Sequence, residues 1–366
     1  MKKMFRYRDK TLAEKISKKL KDMRLNIRIM HVCGTHQDTI VRYGLDEIFR
    51  WCGVEVRQGP GCPVCVTTTR EFGEAVALAR NGKVLVTYGD VAKAPSRLGS
   101  LLDQRAKGCD VRIVYSVEDA VEIARRLKGK EVVFMAVGFE TTAPSTAKIL
   151  LEKPPENFSV LSCHRYIPPA LHALLGMGEL RFDGLIEPGH VSTIIGLKPY
   201  EEISLKYRIP QVVAGFEPLD MLMAVYMIAK QIERGEAKVE NEYTRSVRFE
   251  GNPKALKVMD KVFQPSNAEW RGFPVIPDSR MTLKKEFEAY DARKRFEDEL
   301  EKIDTRLFEE PKDCRCGEIL RGLVNPGDCP LFGKVCTPEK PVGPCMVSVE
   351  GACNIQFKYR GVGLKR

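Results

Sequence analysis

Along the first two-thirds of the chain, short runs of β-branched and aliphatic residues alternate with segments whose apolar positions recur every three to four residues. That alternation marks parallel α/β units, in which strands buried on both faces are joined by crossover helices. The apolar runs predict strands at 27–32, 54–57, 83–87, 111–115, 132–137, 158–162, 184–186 and 211–214. Helical periodicity covers 40–49, 69–80, 117–127, 145–151, 170–175 and 219–234. Gly82, Gly129 and Gly235 stand just past three of these segments, where a left-handed helix cap is expected. Gly138-Phe139-Glu140 and Gly215-Phe216-Glu217 each leave a strand and lead into a helix, a faint internal echo. From Val239 the strand signals fade. Phe296, Leu300, Ile303 and Leu307 then recur at helical spacing, predicting a long charged helix that ends at Glu310-Pro311. The expected architecture is α/β: two similar parallel-sheet domains at 1–128 and 129–238, and a third, mainly helical or irregular domain at 239–366.

Length and charge refine this picture modestly. At 366 residues the chain is long enough for several domains, and 43% apolar content marks it as globular. The start, Met1 to Arg8, is charged with no apolar block behind it, and no later stretch is long and apolar enough to span a membrane. A cytoplasmic location is therefore expected, where grouped cysteines bind metal or do redox work more often than they form structural disulfides. The net charge of +10 does not predict nucleic-acid binding, because the basic residues are interleaved with acids. Arg293-Lys294-Arg295, for example, lies among Glu286, Glu288, Asp291, Glu297, Asp298 and Glu299, which reads as a solvated mixed-charge face.

The chemistry is concentrated in the twelve cysteines. Cys33-Gly34-Thr35-His36 follows the first predicted strand and precedes a helix. In a parallel α/β fold that junction lies at the carboxyl edge of the sheet, where ligands bind. Gly34 lets backbone approach a ligand, and Thr35 with the helix start offers donors. His36 would tune or share whatever Cys33 binds; the alternative is a half-buried structural pair. The next junction carries Gly59-Pro60-Gly61-Cys62-Pro63-Val64-Cys65. Pro63 suits a first helical position, so Cys62 would sit at a helix mouth that favours thiolate. Thiols in C-x-x-C pairs titrate at about 7 or lower, against roughly 8.5 unperturbed. Dithiol redox chemistry and half of a structural zinc site both fit this pair, and its spacing lets the two sulfurs close a disulfide.

Further polar loops follow predicted strands. They are Gly138 to Pro144, bearing Glu140, Thr141 and Thr142; Cys163-His164-Arg165-Tyr166; and Glu187 to Ser192, bearing His190. Taken singly, each hydroxyl is a helix N-cap worth about 1 kcal/mol. Taken together they predict a polar cleft between the α/β halves, with Glu140, Thr141, Thr142 and His190 as candidate binding residues. No P-loop or G-x-G-x-x-G fingerprint is present, so a standard nucleotide fold is not expected.

In the tail, Cys314, Cys316, Cys329, Cys336, Cys345 and Cys353 lie among many glycines and prolines. So turn-rich a segment has little apolar material to hold it, and metal–thiolate bonds would supply the missing cohesion. Cys316, Cys329, Cys336 and Cys353 are spaced C-x12-C-x6-C-x16-C. Zinc favours close cysteine knuckles, which are absent. An iron–sulfur cluster tolerates the wide gaps better, although no ferredoxin spacing is matched. A zinc staple remains the alternative. Cys52, Cys109 and Cys163 stand singly and read as packed residues, and His31, His164 and His172 as structural ones.

Four stretches together resemble the HypD family of hydrogenase maturation proteins: Cys33-Gly34-Thr35-His36-Gln37, Gly59 to Cys65, Gly138 to Pro144, and Cys345-Met346-Val347-Ser348-Val349-Glu350-Gly351-Ala352-Cys353. The motifs run from Cys33 to Cys353, so the resemblance covers nearly the whole chain. It implies two α/β domains of similar topology and a third carrying a 4Fe–4S cluster on Cys316, Cys329, Cys336 and Cys353, with Cys314 and Cys345 as alternates. It also implies that Cys33 holds the iron being given CO and cyanide ligands, sharing it with a cysteine of a small chaperone of the HypC type. Cys62 and Cys65 would exchange electrons with the cluster, and a partner of the HypE type would deliver cyanide as a protein-bound thiocyanate. The expectation is a redox-active assembly scaffold rather than a multiple-turnover enzyme. Its rivals are an iron–sulfur thiol/disulfide oxidoreductase acting on a protein disulfide, and a zinc-stapled binding module.

Overall fold

The computed structural model describes residues 9–179 and 181–361. Eleven strands are formed among them: β1 (Ile27–His31), β2 (Val54–Gln58), β3 (Val84–Thr87), β4 (Val111–Ile113), β5 (Val132–Gly138), β6 (Phe158–His164), β7 (Gly184–Pro188), β8 (Gln211–Ala214), β9 (Val239–Asn241), β10 (Phe263–Glu269) and β11 (Val275–Leu283). The first eight coincide with the predicted strands: β3 and β5–β8 are covered on both faces and read as continuous apolar runs, while the partly buried β1, β2 and β4 are marked by β-branched residues. Every residue of β3, β5, β6, β7 and β8 is buried.

Two parallel sheets result. One has the order β2-β1-β7-β8-β9 and the other β4-β3-β5-β6. The expected boundaries at 128/129 and 238/239 therefore do not follow the sheets. Strands β1 and β2 leave the strands that come next in the chain and join β7–β9, so the first sheet is built from both ends of the α/β region. At its far edge β9 lies beyond residue 238. The region expected to be helical or irregular also contributes the antiparallel pair β10–β11. With Met259 and Val262 it packs onto the core of the second sheet through Phe263, Met281 and Leu283.

Helices differ from expectation in two places. The segment expected at 40–49 is two helices, Gly34–Arg42 and Leu45–Trp51, separated by Gly44 at a left-handed φ of 66°. The long charged helix is broken into Ala292–Arg295, Glu297–Leu300 and a 3₁₀ turn, Thr305–Phe308. The cause is a set of inward-turned arginines. Arg293 donates to Glu74 at 2.9 Å and to Ser162 O at 2.6 Å, and Arg295 donates to Glu131 at 2.8 Å. These contacts pull the segment onto the sheet, and they correct the reading of its basic run as a purely solvated face. Among the described residues, no helix is long and apolar enough to cross a membrane.

Candidate functional site

The carboxyl ends of strands from both sheets meet at one cleft of about 270 Å³. Its lining comes from the residues after β1 (Cys33), β2 (Gly61, Pro63, Val64), β3 (Tyr88, Asp90), β5 (Phe139, Thr141, Thr142) and β7 (His190), with Glu350 arriving from the tail. This is the location expected of a ligand site in parallel α/β architecture. The structure thus brings together Cys33, the Cys62–Cys65 loop, Thr141, Thr142 and His190.

Cys33 caps the helix Gly34–Arg42 and is 6% exposed. Its loop is fixed by backbone: Val32 N–H donates to Ile186 O at 3.1 Å, and Gly34 N–H to Gly61 O at 3.2 Å. The loops touch so closely that a Cβ on Gly61 would lie 2.3 Å from Cys33 N and Val32 C. His31 braces the same turn, with ring nitrogens 3.1 Å from Cys33 O and 2.8 Å from Gln37 Oε1. Burial, and then the neighbouring Glu350 carboxylate, push the Cys33 thiol up to about 12, against the N–H groups of His36 and Thr35 and the Thr35 hydroxyl. A thiol in that state binds metal by exchanging its proton for the ion. Glu350 is a site residue that sequence reasoning passed over, although it stands inside a quoted motif. Its carboxyl is held up at about 7 by burial and by Asp90, and accepts from Thr35 Oγ1 at 3.5 Å.

Cys62 and Cys65 are joined by a disulfide and both are buried. Pro63 does begin a helix, Pro63–Val66, with Cys62 at its N-cap. It is a single turn, and the longer helix Thr69–Arg80 starts separately behind its own Thr68–Glu71 capping box.

Two expected site residues face elsewhere. The His36 ring lies 3.2 Å from Ala214 O and packs on Phe216, so only its backbone N–H addresses Cys33. Burial and then His31 hold that imidazole neutral, down to about 3. Glu140 lines a separate apolar pocket of about 780 Å³ with Tyr166, Pro168 and Pro169. Its carboxyl accepts from Ile167 N–H at 3.0 Å and is pushed up to about 7 by burial. His190, stacked on Phe216 with ring centres 3.8 Å apart, stays at the cleft. Glu187, at the end of β7, is fully buried, and neither carboxylate oxygen has a hydrogen-bond partner.

Five of the six tail cysteines, Cys314, Cys316, Cys336, Cys345 and Cys353, lie near one another beside the disulfide. The helix Cys316–Leu320 packs on Pro63–Val66. A hydrogen bond with Cys316, then burial, then Cys316's charge and those of Cys345 and Cys336 push the Cys353 thiol up. The Cys314 thiol is pushed up first by its own hydrogen bond with Cys316. Val342 N–H donates to Cys336 Sγ at 3.3 Å. Cys329 lines a groove of about 1280 Å³ between the tail and β2. Among the described residues no group of three or more His, Cys, Asp or Glu is set to hold a single metal ion. A Cβ on Gly343 would lie 2.6 Å from both Cys314 Sγ and Cys316 Sγ, so this glycine is the floor on which the thiols gather. Thiolates are soft donors, and in their chemistry these cysteines suit an iron–sulfur group.

Fold and cleft define a thiol-bearing α/β protein in which one buried cysteine and the loop of a buried disulfide share an opening. The HypD family profile, described as the "Hydrogenase formation hypA family", matches residues 8–360. A putative hydrogenase expression/formation protein of Methanocaldococcus jannaschii is 48% identical, over 96% of this chain and 95% of its own length. The hydrogenase maturation factor HypD of Cupriavidus necator is 42% identical over 98% and 97%, and that of Rhodobacter capsulatus 42% over 92% and 90%. The chain belongs to the HypD family.

Proposed function

We propose that this protein is a scaffold for assembling the Fe(CN)2CO unit of nickel–iron hydrogenases, with the iron cargo held at Cys33. The observation that carries this reading is the shared cleft: a lone cysteine, a disulfide loop and polar side chains from both sheets open onto one space. A small chaperone of the HypC type would offer the second thiolate to the iron, and a HypE-type partner would present thiocyanate. Releasing cyanide from thiocyanate consumes an electron pair and a proton. Cys62 and Cys65, as a dithiol, store such a pair. A 4Fe–4S cluster on Cys316, Cys329, Cys336 and Cys353 would supply single electrons to them. Thr141, Thr142 and His190 would face the ligand ends, although the Thr142 hydroxyl already donates to Phe139 O at 3.3 Å, and the cytoplasm is the matching compartment.

The test is anaerobic co-purification with the chaperone, followed by infrared spectroscopy and iron counting. Wild type should show bands of bound CO and cyanide, and Cys33→Ala should lose both bands and the associated iron. Bands that survive in Cys33→Ala overturn the iron assignment, and multiple turnover of a disulfide substrate without a hydrogenase partner would favour the oxidoreductase.

A second outcome concerns the nest. Gly343→Ala places a methyl group against two sulfurs and is expected to strip most of the iron and acid-labile sulfide from the protein. Wild-type loading in that variant would remove Gly343 from the cradle.

A further inference from the structure

The loop after β10 ties the disulfide helix to the cysteine nest. Trp270 is fully buried, its indole N–H donating to Ser279 Oγ at 2.9 Å. Arg271 follows, 4% exposed, and its backbone N–H donates to Val66 O at 2.9 Å. Its guanidinium donates to Thr67 O at 3.0 and 3.2 Å and to Thr69 Oγ1 at 3.4 Å. Thr67 caps the helix Pro63–Val66, whose ends carry the two disulfide cysteines. On the other side Gly272 lies flat against Gly317, the residue after Cys316; a Cβ on Gly272 would be 2.2 Å from Gly317 Cα. The ion-pair partner of Arg271 is Glu310, whose side chain is 40% exposed and also accepts from Thr69 N–H at 3.1 Å and Thr69 Oγ1 at 2.9 Å. Burial disfavours the Arg271 cation, and the neighbouring Cys316, Cys345 and Cys314 thiols and the Glu71 carboxylate counter that cost.

The two charges of this pair are not equivalent. A buried guanidinium acts through a low dielectric, whereas a carboxylate at the surface is screened by water and salt. Of this pair, the interior therefore feels the cation more than the anion. We propose that Arg271 is a positioning residue for the redox chemistry, a buried cation held at the C-terminal end of the helix that bears Cys62 and Cys65 and favouring the reduced dithiol, with Glu310 as its moderating counter-charge. This rests on the reading of Cys62 and Cys65 as an electron store. When dithiothreitol reduces the pair, it supplies two electrons and two hydrogens and closes to its own disulfide. The Cys62–Cys65 bond breaks; one sulfur keeps a proton, and the other remains a thiolate whose proton passes to solvent. That thiolate is the species a neighbouring cation stabilises.

The experiment uses the full-length protein, purified without oxygen and equilibrated in dithiothreitol buffers of graded oxidation. Free thiols at Cys62 and Cys65 are then trapped by alkylation and counted by mass. Arg271→Gln should move the equilibrium toward the disulfide by about tenfold, equivalent to about 30 mV for this two-electron couple. Glu310→Gln should move it the opposite way, and Arg271→Lys, which keeps the charge, should stay near wild type. A merely structural Arg271 would lower the melting temperature of Arg271→Gln and leave the equilibrium where it was. Unchanged equilibria, or shifts of the same sign in Arg271→Gln and Glu310→Gln, overturn the proposal. If Arg271→Gln does not fold, Glu310→Gln decides alone: no shift toward the dithiol is the refuting result. A wild-type pair that stays oxidised in every buffer refutes both this proposal and the electron-store reading. A wild type without iron–sulfur absorption refutes the cluster alone, and the thiol count still decides the role of Arg271.

Discussion

Glu71→Ala is expected to destabilise the protein by about 3–5 kcal/mol, the range for removing one partner of a buried ion pair, and to lower the melting temperature by roughly 5–10 °C. Glu71 is fully buried and faces three arginines. Arg165, itself buried, donates to one carboxylate oxygen, Arg280 approaches the other at 3.3 Å, and Arg293 lies at 3.7 Å. The same carboxylate accepts from Thr68 N–H at 3.0 Å, closing the capping box of Thr69–Arg80. Burial alone would raise its pKa, but Arg165, Arg280 and Arg293 hold it down at about 2. A carboxylate depressed below its ordinary value stabilises the fold above that value and loses the contribution as pH falls toward the folded pKa. For a drop from 4.5 to about 2, that contribution is about 3 kcal/mol, lost progressively below pH 4.5. Glu71→Gln keeps the cap acceptor and removes only the charge. Its stability should therefore start lower and decline less between pH 4.5 and 2, as followed by urea unfolding at a series of pH values. A decline parallel to wild type would show that Glu71 does not carry the acid sensitivity.

Gly61→Ala is expected to do its damage at the cleft. The added methyl carbon would sit 2.3 Å from two backbone atoms, Cys33 N and Val32 C. A flexible side chain would swing away; these atoms are held by Val32 N–H to Ile186 O and by Gly34 N–H to Gly61 O. Overpacking typically costs about 1–3 kcal/mol, and this case belongs at the upper end because relief means separating the Cys33 loop from the Cys62–Cys65 loop. Gly327→Ala supplies the contrast, since a Cβ there meets nothing within 4 Å. Thermal unfolding, with hydrogenase maturation in complemented cells, should show Gly61→Ala impaired in both and Gly327→Ala near wild type. Full maturation by Gly61→Ala would mean that the spacing of the two loops is immaterial.

Strands β3 and β5 to β8 were legible because double-sided burial writes itself as apolar runs, and β8 matches the expectation at both ends; β1, β2 and β4 are only partly buried, and their β-branched residues made them legible. The junctions bearing Cys33, Cys62, Thr141 and His190 were legible for a related reason: in parallel sheets every strand ends on the same edge. Strands β10 and β11 were not. Pro265 and Pro277 interrupt them, and proline argues against a strand unless a bulge or an edge accommodates it, as the register shift between Ser266 and Ala268 does here. Nor does local pattern encode strand order, so nothing in it said that β1 would pair with β7. The orientation of Glu140 and His36 depends on which neighbour pairs with them across the fold: Ile167 N–H, which donates to the carboxyl, in one case, and Ala214 O in the other. Glu350 stands more than 300 residues from Thr35, and only the tertiary fold brings it to the cleft.

The interleaving of the two sheets sets a timetable for biosynthesis. Strands β3 to β6 are contiguous and can pair as they leave the ribosome, but β1 must wait for β7, about 150 residues behind it. At translation rates of roughly 5–20 residues per second, that wait is about 8–30 s. During it Val32 has no Ile186 to hold it, and the Cys33 turn has no second wall. Glu350 arrives later still, far behind β7 in the chain. A nascent chain that has not yet reached β7 and Glu350 therefore carries Cys33 without the walls of its cleft.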